Sequence, residues 1–241
     1  DDGMSIHCRA KVTNLKREGE GVTASIQTED GMQQLAAERA ILAVGIVGNN
    51  GAIYPDSAQK AAHFVQLCNK IDTPIIFLQN VTGFLVGKEF ERDGIIKKGS
   101  QLINAVSNST VPHITIILGA SYGAGTYAMS GRAYNNRFTF TWPSAKIAVM
   151  GGKQIAGVMS LVRKARAFRM GETFNEEEDK KFTEAVEQLQ DQGSKALEAT
   201  GLISDDGIID PRDTRTVLGI CLSVVRNHPI KGTEEYGVFR L

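Results

Sequence analysis

Hydrophobic and polar positions change their rhythm near residue 45. Before it, Ser5–Leu15 and Val22–Gln27 alternate loosely, joined by the turn Arg17-Glu18-Gly19-Glu20-Gly21. Thr28-Glu29-Asp30-Gly31 marks a second turn ahead of Met32–Ala36, and Arg39–Val44 is a further apolar run bounded by Gly45. Period-two patterning broken by glycine-rich turns predicts a meander of short antiparallel strands. From Gly45 onward the pattern predicts strands alternating with helices. Ile46–Val47 continues a strand into the turn Gly48-Asn49-Asn50-Gly51. Asp56 or Ser57 is the expected cap of a helix to about Asn69, with Ala61, Val65 and Cys68 on one face. Pro74–Leu78 is wholly apolar, the signature of a strand covered on both faces. Gln79–Gly87 then reads as a loop, and Gly94–Ser107 as a helix burying Ile95, Leu102, Ile103 and Val106. Pro112–Leu118 predicts the next strand, followed by Gly119–Gly125 as a loop.

Farther on, Arg137–Thr141 and Lys146–Val149 predict short strands, and Met150-Gly151-Gly152 opens a helix with Ile155, Val158, Met159 and Val162 turned inward. Asn175–Gln192 is charge-rich and helical, a solvated arm or a partner-facing helix. At Asp206–Pro211 a strand meets a helix, with Asp210 at the N-cap, Pro211 at the first helical position and Asp213 in the first turn. That helix is expected to reach about Asn227, with Val217, Ile220, Cys221 and Val224 inward. Repeating strand-turn-helix units predict an α/β domain, in which ligands sit where strands end and helices begin.

The segment Ile116–Gly131, IILGASYGAGTYAMSG, focuses that expectation. A strand ending in a turn nearly free of side chains, where a helix begins, leaves backbone N–H groups unpaired and approachable. Such a turn serves equally for close packing of two elements. Three glycine-bearing loops follow strands: Thr82–Gly87, Gly119–Gly125 and Met150–Gly152.

Composition narrows the chemistry. The 241 residues carry 27 Lys+Arg against 27 Asp+Glu, so the net charge of zero offers no basic field for nucleic acid or an anionic membrane. No apolar run of membrane-spanning length exists, and no basic-then-apolar leader begins the sequence. The opening Asp1-Asp2-Gly3, in place of Met, reads as a fragment or processed product. Cys8, Cys68 and Cys221 are scattered, as are the 4 histidines, which argues for a reducing compartment and against a disulfide framework or a metal site.

Ser121 lies in GASYG rather than GxSxG, and His113 stands at the opposite end of the strand, so a serine hydrolase is disfavoured. The three loops hold no carboxylate base, and Glu89, Glu91 and Asp93 begin a helix instead. GxxxxGK[ST] and GxGxxG are both absent. A site of backbone donors remains, suited to an enolate or similar oxyanion, with the proton transfer supplied by substrate or cofactor. Arg163, Lys164, Arg166 and Arg169 form a basic helix stretch, read as a solvated face or as partners for a ligand's phosphates in a neighbouring subunit.

Gly45–Leu241 resembles the C-terminal half of the carboxyltransferase (beta) subunit of biotin-dependent acyl-CoA carboxylases, of the 3-methylcrotonyl-CoA or geranyl-CoA type. The resemblance rests on GIVGNNG (Gly45–Gly51), SAQKAAHFVQLCN (Ser57–Asn69), PIIFLQNVTGFLVG (Pro74–Gly87), ILGASYGAGTYAMSGRAY (Ile117–Tyr134), WPSAKIAVMGG (Trp142–Gly152), DDGIIDPRDTRTVLG (Asp205–Gly219) and YGVFRL (Tyr236–Leu241). It implies a crotonase/ClpP-like spiral of ββα units and a site for carboxybiotin. By position, the amides of Ala124 and Gly125 would form the oxyanion hole for the biotin enolate oxygen, and biotin nitrogen would remove the substrate proton. Gly83 and Phe84 would form the neighbouring loop, with Tyr122, Gly123, Gly87, Gly151 and Gly152 around biotin. Gly123 falls where related proteases carry their nucleophilic serine, which excludes that activity. The resemblance further implies acyl-CoA as substrate, a biotin carboxyl carrier and biotin carboxylase as partners, and a homo-oligomer. It implies a bacterial cytoplasmic or mitochondrial-matrix setting, with neither metal nor flavin.

Residues 1–44 depart from that family. GMSIHCRAKVTNLKREGEGVTASIQTEDG with AERAILAVGIVGN resembles a segment of dihydrolipoamide dehydrogenase, lacking its GxGxxG and redox cysteines. The expectation is a chimera joined at Val44–Asn49, its first segment a structural hairpin in place of missing edge strands.

Overall fold

In the computed structural model, residues 11–18, 21–28, 31–37, 44–134, 136–237 and 239 are described. They divide into two units between Ala43 and Val44.

The first unit is the expected meander: β1 (Lys11–Glu18), β2 (Gly21–Thr28) and β3 (Gly31–Ala37), antiparallel in that order. Glu18 pairs with Gly21 and Thr28 with Gly31, so each turn closes on a glycine. The start of the first expected strand and nearly all of the Arg39–Val44 run lie outside the described residues.

The second unit is built on a wholly parallel sheet. Its short strands are β4 (Gly45–Gly48) and β5 (Gly51–Ile53), followed by α1 (Pro55–Lys70). The long strand β6 (Ile75–Phe84) leads to α2 (Lys88–Arg92) and α3 (Ile95–Asn108). A second long strand, β7 (His113–Tyr122), runs straight into α4 (Gly123–Ala128). After β8 (Phe138–Thr141) and β9 (Lys146–Ala148) come α5 (Gly152–Met170), α6 (Glu176–Gly193), α7 (Ala196–Gly201) and α8 (Thr214–Val225). β6 pairs first with β4 and then with β5 on one edge, while β7 pairs with β8 and then β9 on the other.

Both faces of the central strands are covered, which explains their unbroken apolar runs. Odd positions Ile75, Phe77 and Val81 join Val65 of α1 with Leu102 and Val106 of α3. Even positions Ile76 and Ile114 meet Cys221 of α8.

Several boundaries differ from the sequence reading. β6 and β7 outrun their apolar segments, because the polar and small residues expected to end them are absorbed in a bulge. The ladder pairs Gln79 with Ile117 and then Val81 with Ser121, so β7 accommodates extra residues there. Asn80 fills the gap: its Oδ1 accepts the Ala120 N–H at 2.8 Å. The expected turn at Gly48–Gly51 leads directly into β5. Neither Asp56 nor Ser57 is the cap of α1. Tyr54 holds that position, Pro55 begins the helix, and Ser57 Oγ accepts the Tyr54 N–H and donates to its carbonyl, both at 2.9 Å. Gly94, in the left-handed region at φ 83°, divides α2 from α3.

On α5 the expected inward stripe fails at three of its four positions, Ile155 alone being partly buried. Ala156 is the buried residue, whereas Val158, Met159 and Val162 are exposed, together with Leu161 (68%) and Phe168 (87%). The packed stripe is polar: Ser160 Oγ donates to Asp179 Oδ2, and Arg163 pairs with Asp179 Oδ1 at 3.0 Å while lying 4.4 Å above the Phe182 ring. This clasps α5 to α6, whose N-cap Asn175 accepts from the Glu177 and Glu178 amides. Lys164 meets Glu176 at 3.5 Å, so half of the basic stretch is spent within the hairpin. Asp210 caps a 3₁₀ turn, Pro211–Asp213, ahead of α8. On α8 the inward face is rotated: Val217, Leu218, Cys221 and Leu222 pack on the sheet and Val225 is buried, leaving Ile220 and Val224 exposed.

Candidate functional site

A long apolar strand delivers its last residues to a turn that favours glycine. Gly123 sits at φ +55°, and a Cβ there would stand 3.0 Å from the Val149 carbonyl. Next, Ala124 and Gly125 occupy the first turn of α4, which has no side-chain cap. First-turn amides lack an intrahelical acceptor, so these N–H groups are open to an outside one. Ala124 is exposed and Gly125 buried.

Alternation along β6 puts Gln79, Val81 and Gly83 on one side of the strand. α4 rests on that side so closely that a Cβ on Gly125 would lie 2.5 Å from Val81 Cγ2 and 3.1 Å from Gly83 Cα. The Tyr122 ring approaches Gly151, 3.5 Å from where its Cβ would be. Three glycine-bearing segments far apart in sequence thus meet: Gly83, the Gly123–Gly125 turn, and Val149–Gly151.

Other expected members lie elsewhere. The Phe84 ring turns onto Gly99 of α3, 2.9 Å from its Cβ position, because Gly83 at φ +128° swings the chain around; Phe84 can serve the site by backbone alone. A Cβ on Gly152 would stand 3.0 Å from the Glu187 carbonyl of α6. Gly87 precedes α2 at φ +145° and packs against Phe90.

Side chains the sequence reading passed over organise the junction. Gln79 is 0% exposed, and its Nε2 donates to Ser121 Oγ at 3.1 Å; Ser121 Oγ in turn meets Thr126 Oγ1 at 2.9 Å. Asn80 donates from its backbone N–H to Asn49 Oδ1 (3.2 Å) and from Nδ2 to Asn50 Oδ1 (2.7 Å). Two polar residues directly after a five-residue apolar run were the available signal.

The electrostatics offer no catalytic side chain here. Ser121 is buried in its hydrogen bonds, and His113 is eight strand residues away, about 26 Å at 3.3 Å per residue. His113 instead joins Ser130 and Ser109, each at 2.8 Å, and burial lowers its pKa to about 4. Beyond Tyr122, on β9, the Asp191 carboxylate's hydrogen bond raises the Lys146 pKa, and the same bond lowers that of Asp191, so the pair stays ionised. Among the described residues no group of three His, Cys, Asp or Glu side chains could hold a metal. An open groove of about 610 Å³ between α5 and α6 is lined by residues of that hairpin, including Lys153, Ser160, Asp179 and Lys180. The uncapped first turn of α4 can donate N–H bonds to an outside oxygen.

A family profile described as "Carboxyl transferase domain" matches residues 41–238. The probable biotin-dependent acyl-coenzyme A carboxylase beta2 subunit of Mycobacterium tuberculosis is 55% identical over 199 residues, covering 82% of this chain and 38% of that protein. The mitochondrial methylcrotonoyl-CoA carboxylase beta chain of Arabidopsis thaliana is 48% identical over 198 residues, 82% of this chain and 34% of its own. The crystal structure of the P. aeruginosa geranyl-CoA carboxylase beta subunit superposes with a TM-score of 0.70 at 40% identity, over 92% of this chain and 40% of that one. A transcarboxylase 12S structure, described as a hexamer assembly, gives 0.68 at 28% identity over the same shares. The chain thus spans little more than a third of the curated relatives it matches. Residues 1–40 lie outside the family match, and these comparisons lend no support to a chimeric origin for that segment.

Proposed function

The chain belongs to the carboxyl transferase domain family, and on that premise we propose that it forms the biotin-side half of an acyl-CoA carboxylase carboxyltransferase. The observation that carries this reading is the uncapped β7–α4 turn, packed on the bare backbone of Gly83 and walled by Gly151. A methyl group on Gly125 would collide with Val81 Cγ2 and Gly83 Cα, so glycine lets the turn lie directly on β6 and keeps its donors free of side chains, which suits the oxygen of a flat ureido ring. Carboxybiotin, when bound, supplies the carboxyl group and the nitrogen that takes the proton of the acyl-CoA substrate.

The residues of this chain bind and orient. The Ala124 and Gly125 amides donate to an oxygen that gains negative charge as the carboxyl leaves, each well-placed donor being worth about 3 kcal/mol. Gly123 turns those amides outward, and Gly83 and Gly151 let backbone come close while adding no competing polar group. The absence of a carboxylate or imidazole among these residues suits a reaction whose proton acceptor arrives with the cofactor. In this reading acyl-CoA is the co-substrate, a biotin carrier with its biotin carboxylase is the partner, and the chain works within a homo-oligomer in a bacterial cytoplasm or mitochondrial matrix.

Two measurements test it. The chain is assayed for decarboxylation of carboxybiotin and for malonyl-CoA-dependent carboxylation of free biotin. Ala124→Pro removes one donor, and a well-folded variant with undiminished turnover would refute the oxyanion assignment. A chain that binds biotin yet turns nothing over supports the second reading, a folded half inert by itself. That reading is favoured by the span of little more than a third of the relatives' length. A bound-flavin absorbance near about 450 nm would instead revive an oxidoreductase.

A further inference from the structure

The first turn of α4 is an unstable thing to build a site on. It contains two glycines in three residues, and the helix is only 6 residues long with no side-chain cap. Glycine has the greatest backbone freedom to lose, and so short a helix has little cooperativity of its own. Some other contact must fix the direction of its amides.

The row Gln79–Ser121–Thr126 does so by its position. Ser121 is the last residue but one of β7, and Thr126 is the fourth of α4. Their hydroxyl contact at 2.9 Å brackets Tyr122, Gly123, Ala124 and Gly125, the segment that turns the amides outward. Gln79 ties the bracket to β6, and β6 also carries Val81 and Gly83, on which Gly125 rests. One strand therefore sets both the height of the helix turn, by contact, and its rotation, by hydrogen bonding.

The choice of glutamine needs an explanation. Its neighbours on the same face, Ile75, Phe77 and Val81, are apolar and fully buried. Gln79 Oε1 is buried with no hydrogen-bond partner among the described residues, a state that costs free energy. An apolar residue of similar size would serve the core better and leave nothing unpaired. What it would lose is the donor to Ser121.

We propose that Gln79 is a positioning residue, acting through Ser121 and Thr126 to aim the Ala124 and Gly125 amides. This rests on reading that turn as the biotin-side oxyanion site.

The test uses the full chain, ¹⁵N-labelled. Hydrogen exchange at the Tyr127 and Ala128 amides, which bond back to the first turn of α4, is measured without ligand, then the Ala124 and Gly125 amide signals are followed as free biotin is added. The variants are Thr126→Val, which swaps a half-buried hydroxyl for a methyl, and Gln79→Leu; Thr126→Ser is the conservative control. Thr126→Val and Gln79→Leu are expected to quicken exchange at the Tyr127 and Ala128 amides about five- to tenfold, the worth of one neutral hydrogen bond, and to raise the biotin needed by a similar factor. The double variant should be no worse than either single one, and Thr126→Ser should behave as the parent. If Gln79→Leu does not fold, Thr126→Val carries the test alone. Unchanged exchange at Tyr127 and Ala128 overturns the proposal, and so does a rise matched equally at core amides such as Phe77 and Ile116, which marks a purely structural role. If the parent's signals ignore biotin while exchange responds as expected, the biotin reading fails and the positioning role stands.

Discussion

His113 makes the stability of the second unit depend on pH in a way that can be worked out from its surroundings. The imidazole is 4% exposed, lies against the Phe77 ring with centroids 4.9 Å apart, and bonds to Ser130 and Ser109 hydroxyls. Burial penalises the charged ring, lowering its pKa from 6.5 to about 4. The folded chain therefore holds the ring neutral where the unfolded chain would already protonate it. This contribution is present in full above pH 6.5 and is lost progressively as pH falls from 6.5 towards 4. At about 1.36 kcal/mol per pH unit the interval is worth on the order of 3 kcal/mol. Urea unfolding followed by Trp142, the single tryptophan, would measure it at steps between pH 7.5 and 4. Trp142 Nε1 bonds Thr214 Oγ1 at 2.9 Å, joining the end of β8 to α8, so its emission reports loss of the sheet-helix contact. His113→Gln keeps a donor and an acceptor but does not titrate. The wild-type curve should fall more steeply than the variant's by on the order of 3 kcal/mol across that range. Parallel curves would show that His113 does not control the acid limb, because other carboxylates titrate equally in both proteins.

Further predictions follow from single contacts. Gly125→Ala should cost about 1–3 kcal/mol by overpacking against Val81 Cγ2 and the Gly83 backbone, and Val81→Ala in the same chain should recover part of the urea midpoint shift. Asn175→Ala removes the acceptor of two α6 amides and should cost about 1 kcal/mol by thermal melting. Leu161→Gln and Phe168→Gln should each leave stability of the chain within about 0.5 kcal/mol, since both side chains project from α5 away from its packed stripe; a larger loss would place a packing partner on that face. Gly119→Ala should weaken the bulge, because its Cβ would lie 2.5 Å from Asn80 Oδ1, and faster exchange at the Ala120 amide would report it.

The order of elements was legible in the sequence because each strand and helix obeys its own period. Pro74–Leu78 reads as a doubly covered strand since odd and even residues alike must meet a helix layer. The antiparallel meander follows from Gly21 and Gly31 falling where turns close. The family likewise lies in local motifs, because a glycine-rich turn must recur at fixed spacing to make the same backbone. Local rhythm could not say which side of an amphipathic helix finds a neighbour. α5 carries an apolar stripe at Val158 and Val162, yet packs through Ser160 and Arg163, because the element it meets supplies Asp179 and Phe182. Nor could it say that strands run past polar residues. Gln79 and Asn80 look like the start of a loop until β7 lies alongside and takes their side chains as substitutes for ladder bonds. The candidate site divides the same way: the sequence determined that a run of small residues, Gly119–Gly125, lies between a strand and a helix. Only the fold brought Gly83 and Gly151 against it and set Gln79 behind it, since those approaches depend on distances between strands that no run of consecutive residues encodes.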